Sequence, residues 1–104
     1  MSVEILSEGV RVVRVAGDLD LATVSELEDA LSRADPVDRL VIDLSECTFL
    51  DSSALRAIAQ AGRTRESAGE EASLVVSDPG IRRVLEIAAL DTMLPVYATL
   101  GDAL

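Results

Sequence analysis

The residues with the clearest chemical potential form one short run, Asp51-Ser52-Ser53, which follows an apolar segment and opens an amphipathic one. A helix start offers backbone N–H groups and a partial positive charge, both suited to a phosphate. Loops at the carboxyl ends of strands in open sheets are also favoured binding positions. A serine hydroxyl here is therefore a candidate acceptor for a phosphoryl group. Asp and Ser are equally ordinary N-cap residues, so the triplet by itself also fits a purely structural cap.

A phosphoryl group at this junction would change how the surface meets a partner. It adds roughly −1.5 to −2 charge at neutral pH. That charge would join Asp51 and, if the neighbouring loops converge, Asp18, Asp20 and Glu46. A partner docked over Ser52 would face bulk, desolvation and repulsion. A coupling of ~3 kcal/mol lowers affinity more than a hundredfold, which is sufficient for a switch.

Composition narrows the possible partners and chemistry. The chain of 104 residues fits one domain, spanning 1–104, and its 9 basic and 19 acidic residues give a formal charge of −10. This balance disfavours nucleic acid and anionic lipid as partners, although solubility alone also accounts for it. Histidine is absent and Cys47 is the single cysteine, so the commonest general base and any cysteine cluster are missing. We expect a protein that is not an enzyme and has no metal or cofactor.

The N-terminal segment lacks a basic region followed by a continuous apolar run, and no apolar stretch approaches the ~20 residues that cross a bilayer. We therefore expect a cytoplasmic protein without membrane insertion.

Hydrophobic periodicity predicts an α/β domain, a four- to five-stranded mixed sheet flanked by helices, in the order ββαβαβαβα. We expect strands at 3–6, 10–15, 40–44, 73–76 and 94–98. We expect helices from 23 to about 34, from 52 to 66, from 78 to 88 and after 99. Gly17-Asp18 should break the second strand, and 45–51 should form a loop.

Single residues receive more local predictions. A capping box is expected at Thr23 with Glu26. Cys47 fits a small packing residue and Phe49 a core anchor, while Leu50, if alternation points it outward, is a candidate partner contact. Asp43 is interpreted as an organiser of the following loop.

Several motifs resemble the STAS family (sulfate transporter and anti-sigma-factor antagonist). Asp43-Leu44-Ser45, four spacer residues and then Leu50-Asp51-Ser52-Ser53-Ala54-Leu55 resemble its D-L-S and D-S-S-G-L signature. Gly17-Asp18-Leu19-Asp20 is similar to the G-E-L-D segment of bacterial antagonists, and 81–91 to the third helix and its following turn. The resemblance runs from about 3 to 99, and Ala54 replaces the usual glycine.

This resemblance implies a regulatory binding module. An anti-sigma factor with serine-kinase activity would bind the unphosphorylated domain, phosphorylate Ser52 and then dissociate, and a PP2C-type phosphatase would reverse the modification. Ser53 is the runner-up acceptor, and Asp18, Asp20, Leu50, Asp51 and Ala54 complete the expected partner surface with the two serines. The alternative within the same fold is an accessory subunit that binds the ATPase of an ABC-type membrane lipid transporter.

Overall fold

The fold was described from a computed structural model, in which residues 2–7, 9–32 and 38–104 are described and side chains are described from residue 9 onward. The predicted order of elements is confirmed. The strands are β1 (Ser2–Ser7), β2 (Val10–Leu19), β3 (Arg39–Leu50), β4 (Glu71–Val75) and β5 (Val96–Tyr97). The helices are α1 (Val24–Ser32), α2 (Ser52–Ser67), α3 (Pro79–Ile87) and α4 (Leu100–Ala103), with a 3₁₀ turn at Leu90–Thr92.

The strands form one mixed sheet in the spatial order β1-β2-β3-β4-β5. β1 and β2 are an antiparallel hairpin, whereas β2, β3, β4 and β5 run parallel. Parallel strands place their carboxyl ends at the same edge of a sheet, so the segments that follow β2 and β3 meet there. This edge carries the Asp51-Ser52-Ser53 run.

The two faces of the sheet are covered unequally. On one face, alternate strand residues such as Val13 and Ile42 pack in one cluster with Leu27 of α1, Ile58 of α2 and Leu85 of α3. On the other face a smaller cluster is completed by α4; it consists of Val12, Val41, Val75 and Ala103. Burial of both faces explains why the middle of β3 is continuously apolar.

Two helix starts, those of α3 and α4, have a side-chain cap. The Asp78 carboxylate accepts the Ile81 N–H at 2.9 Å, with Pro79 at the first helical position. The Thr99 hydroxyl accepts the Asp102 N–H at 3.2 Å. At α1 the Glu26 N–H instead donates to the Thr23 backbone carbonyl, so the expected capping box is wrong in this detail. The predicted end of α1 near residue 34 lies outside the described residues.

The predicted strand break and loop are both wrong. β2 continues through Gly17, whose φ of +80° suits a residue without a side chain, and ends at Leu19. β3 continues through the predicted loop to Leu50, and at two places it has one more residue than its neighbour β2. Such bulges shift the alternation of side chains by one position each. The inward positions at this end of β3 are consequently Leu44, Cys47 and Leu50.

Candidate functional site

Asp51 organises the junction between β3 and α2. One carboxylate oxygen accepts the Ala54 N–H at 3.0 Å and the Ser53 hydroxyl at 2.5 Å, while the other accepts the Leu21 N–H at 3.0 Å. These hydrogen bonds, that from the Ser53 hydroxyl above all, lower the pKa of Asp51 because they stabilise the ionised carboxylate. Asp51 is therefore the N-cap of α2 and also ties this helix to the segment between β2 and α1.

The two serines after Asp51 have different surroundings. Ser52 is the first residue of α2 and is exposed. Among the contacts of the described residues, no hydrogen bond involves its hydroxyl. Ser53 is half-buried and donates its hydroxyl proton to Asp51. Only Ser52 thus presents an open hydroxyl at the start of the helix.

Acidic residues predicted to surround Ser52 lie at the same edge of the sheet. Asp18 stands opposite Phe49 across the β2–β3 pair, and the Asp51 N–H donates to the Leu19 carbonyl at 3.2 Å. Glu46, also exposed, is paired with Ala16 further back along the strands. Asp18 and Asp20 thus lie close to Asp51, at the end of β2 and in the turn after it, whereas Glu46 lies further back along β3 and does not converge with them.

The aspartates near Ser52 are held by neutral donors. The Thr48 hydroxyl donates to the Asp18 carboxylate at 2.8 Å. One Asp20 oxygen accepts the Ala22 N–H at 3.0 Å and the Thr23 N–H at 3.2 Å, which folds the turn before α1. Neutral donors fix the positions of these carboxylates without cancelling their charge. This edge of the domain is therefore strongly acidic.

Three side-chain orientations differ from the predictions. Leu50 is 6% exposed and packs in the core, so its expected outward contact is wrong. Phe49 is 50% exposed, so it is not the expected core anchor. The bulges in β3 exchange these roles, because they put Thr48 and Phe49 together on the outside and return Leu50 to the inside. Ala54 is fully buried, so its side chain cannot contact a partner.

Two residues beside Ser52 were missed by sequence reasoning. Leu21 is 77% exposed, and its backbone N–H is the group that Asp51 holds. The sequence does contain an indication of this exposed residue, because Leu21 is an apolar residue directly after the polar segment Gly17-Asp18-Leu19-Asp20. The sequence contains no such indication for Thr48, which donates a hydrogen bond to Asp18, because the pattern predicts a loop at this segment.

Asp43 and Cys47 have structural roles. Asp43 is buried within β3 and accepts the Ser45 N–H at 2.9 Å, so it organises the local backbone inside a strand rather than a loop. Cys47 is buried, as expected of a packing residue, and burial raises the pKa of its thiol. Neither side chain takes part in the exposed surface.

The surface around Ser52 is a candidate binding surface for another protein. It combines one open hydroxyl, fixed carboxylates and two exposed apolar side chains, Leu21 and Phe49. In the described part of the chain, no three acidic or cysteine side chains converge as metal ligands would. None of the described helices has the length and apolarity to span a membrane. The class defined by this fold and surface is a small α/β binding domain with a candidate modification site.

Comparison with known proteins identifies the family. Residues 5–103 match the model of the STAS domain, so the chain belongs to the STAS family. It is 37% identical over 100 residues to the anti-sigma-F factor antagonist RsfB of Mycobacterium tuberculosis, covering 92% of this chain and 80% of that protein. The crystal structure of an anti-sigma factor antagonist from Mycobacterium paratuberculosis superposes with a TM-score of 0.89 at 36% identity, covering 98% of this chain and 87% of that one.

A more distant structure shares the fold. The Bacillus cell fate determinant SpoIIAA in its phosphorylated form matches with a TM-score of 0.77 at 23% identity, over 98% of this chain and 94% of that one.

Proposed function

We propose that this protein is a cytoplasmic anti-sigma-factor antagonist whose partner is an anti-sigma factor with serine-kinase activity. The unmodified domain binds this partner, and phosphorylation of Ser52 ends the interaction. The observation that carries the proposal is the open Ser52 hydroxyl at the start of α2, set among fixed carboxylates. The same function is supported by relatives that match nearly the whole chain and are named anti-sigma factor antagonists.

The choice of Ser52 over Ser53 follows from their exposure. A serine can attack a phosphoryl group only if its oxygen is accessible to the kinase. Ser52 is exposed, whereas Ser53 is half-buried and its hydroxyl is turned toward Asp51. In the transfer, the Ser52 oxygen bonds to the γ-phosphorus of the kinase's ATP, the bond to the β-phosphate oxygen breaks, and ADP and the serine proton leave.

Phosphorylation would act against binding through charge and bulk. The Asp51 carboxylate already occupies the helix start, where it accepts the Ala54 N–H. A phosphoryl group on Ser52 would therefore stand beside an ionised carboxylate, and Asp18 is fixed on the adjacent strand. A partner that makes close contact here must then desolvate a group of roughly −1.5 to −2 charge. The free domain keeps that group in water.

Leu21 and Phe49 supply apolar contact area in the docking surface. Both are large and exposed, and both lie near Asp51: the Leu21 N–H donates a hydrogen bond to the Asp51 carboxylate, and Phe49 precedes Asp51 by two residues. Aromatic side chains, Phe included, are enriched in the cores of protein interfaces relative to the rest of the surface. The corrected partner surface consists of Asp18, Asp20, Leu21, Phe49, Asp51 and Ser52.

The remaining parts of the proposal concern the cycle. A PP2C-type phosphatase removes the phosphoryl group and restores binding. The domain itself acts by binding and is not an enzyme, in keeping with relatives that are named as antagonists of an anti-sigma factor. Aspartates 18 and 51 are both held by other donors, which leaves proton removal to the kinase.

The test uses the serine-kinase anti-sigma factors encoded in the same genome, purified singly and mixed with the protein and ATP. One of them should phosphorylate the parent stoichiometrically at Ser52, shown by intact mass and peptide mapping, and should not phosphorylate Ser52→Ala. The phosphorylated parent should bind this kinase at least about a hundredfold more weakly than Ser52→Ala does.

Ser53→Ala is the matched control and should still be phosphorylated. Modification of Ser52→Ala at Ser53 would overturn the choice of acceptor. Stable, unmodified binding to a transporter ATPase, with no kinase in the panel acting on the protein, would overturn the function.

A further inference from the structure

We propose that Arg56 binds the phosphoryl group on Ser52. This inference rests on the proposed function only in that Ser52 is the modified residue. A serine at the first position of α2 and an arginine four residues later lie on one side of the helix, one turn apart. Both side chains are exposed.

The direction of helical side chains favours this contact. Cα–Cβ bonds in a helix tilt toward its N-terminus, so a long side chain at position i+4 leans back over the residue at i. A guanidinium at position 56 can therefore reach the Ser52 oxygen. Its planar set of N–H donors matches the oxygens of a phosphate in a bidentate arrangement.

A phosphoryl group on Ser52 needs a nearby cation, because the Asp51 carboxylate already accepts hydrogen bonds from donors at the start of α2. Asp51 takes the Ala54 N–H and the Ser53 hydroxyl, so the usual backbone donors for a phosphate are shared with a carboxylate. The like charge of Asp51 disfavours a dianion beside it. Arg56 on the adjacent turn offsets that repulsion.

Arg56 is also available. Three other arginines are committed to glutamates within the domain: Arg39 pairs with Glu71, Arg65 with Glu70 and Arg82 with Glu86. Arg63, further along α2, donates to Gln60 at 3.0 Å. In the part of the chain that the structure describes, Arg56 has no ion pair or hydrogen bond of its own. The unmodified domain therefore holds this guanidinium ready for a phosphoryl group.

Arg63 provides a matched control. It lies on α2 seven residues beyond Arg56, two turns away, and is likewise exposed. A general effect of removing one positive charge from this helix would appear equally in both variants. An effect that requires contact with the phosphoryl group would appear only in Arg56→Gln.

The experiment installs phosphoserine at position 52 during translation, so it needs no kinase. Phosphorus NMR titration at low salt should give a phosphoserine pKa about 0.3 lower in the parent than in Arg56→Gln, and unchanged by Arg63→Gln. Proton–nitrogen spectra should show the Arg56 guanidinium signal shifting on phosphorylation while the Arg63 signal stays in place. Equal pKa values in the parent and Arg56→Gln, or the same change in both variants, would overturn the inference. Failure of every kinase to modify Ser52 would instead count against the proposed function and leave this result standing.

Discussion

Charged side chains have different kinds of partners at the two ends of the parallel sheet. At the amino end, Arg39 pairs with Glu71 at 3.0 Å and Arg65 pairs with Glu70 at 2.6 Å. At the carboxyl end, aspartates 18 and 51 are held by hydroxyl and backbone N–H groups instead. Ion pairs cancel charge within the domain, whereas neutral donors fix it in place. The ion pairs at the amino end stabilise the domain, whereas the carboxyl end retains its negative charge.

The largest expected effect tests the amino end. Arg65 and Glu70 have side chains only 11% and 14% exposed, so removal of one partner leaves a largely buried charge unpaired. Arg65→Ala should lower the free energy of unfolding by about 3 kcal/mol, measured by urea denaturation. Binding to the kinase partner at temperatures well below unfolding should be unchanged.

Arg82→Ala is the control for this variant. Its pair with Glu86 is about half-exposed and 3.9 Å long, and its removal should cost about 0.3 kcal/mol. Similar losses for the two variants would contradict the assignment of a stabilising role to the amino end.

A smaller effect tests the carboxyl end. Leu21→Ala and Phe49→Ala should each weaken binding of the kinase partner about tenfold or more, equivalent to ~1.4 kcal/mol, as measured by calorimetry. Leu21→Ala should change the free energy of unfolding by about 0.5 kcal/mol or less, because the Leu21 side chain is mostly in water.

Ile87→Ala is the matched control for the Leu21 variant. Ile87 is 75% exposed, close to the 77% of Leu21, but it ends α3 away from Ser52. Tenfold weaker binding by Ile87→Ala as well would show that the loss does not depend on the position of the exposed apolar residue. The proposed docking surface around Ser52 would then be wrong.

The smallest effect concerns acid stability. The pKa of Asp51 is lowered in the folded protein from an ordinary value of 3.8, chiefly by the Ser53 hydroxyl. A carboxyl group with a depressed pKa contributes stability that is present above 3.8 and is lost as the pH falls through the folded value. Asp51→Asn should therefore be less stable than the parent at pH 7, and the difference should shrink below pH 3.8 in thermal melts. A difference that stays constant from pH 7 to pH 2.5 would show that ionisation of Asp51 does not matter.

Much of the fold followed from local patterns in the sequence. The hairpin, the order of elements and the start of α2 depend on alternation, helical spacing and capping residues, which short segments carry by themselves. The position of Ser52 at a helix entrance was predictable for the same reason. The cap at Asp78 likewise needed only Asp followed by Pro.

The rest depended on pairing between distant segments. The extra residues of β3 can be recognised only against β2, and they decide that Phe49 faces water and Leu50 the core. The hydrogen bond from the Leu21 N–H to the Asp51 carboxylate joins residues 30 positions apart in the sequence. Local periodicity contains no information on either feature, so the apolar part of the candidate site was misassigned.

The burial of Leu50 and Ala54 has a consequence for the speed of the proposed switch. These residues lie on either side of the Asp51-Ser52-Ser53 run and pack in the main core, where close packing resists small displacements. If Ser52 is phosphorylated, we therefore expect the surface to change without a slow rearrangement of the backbone beneath it. Stopped-flow mixing of each form with the kinase should accordingly show a single kinetic phase without a lag.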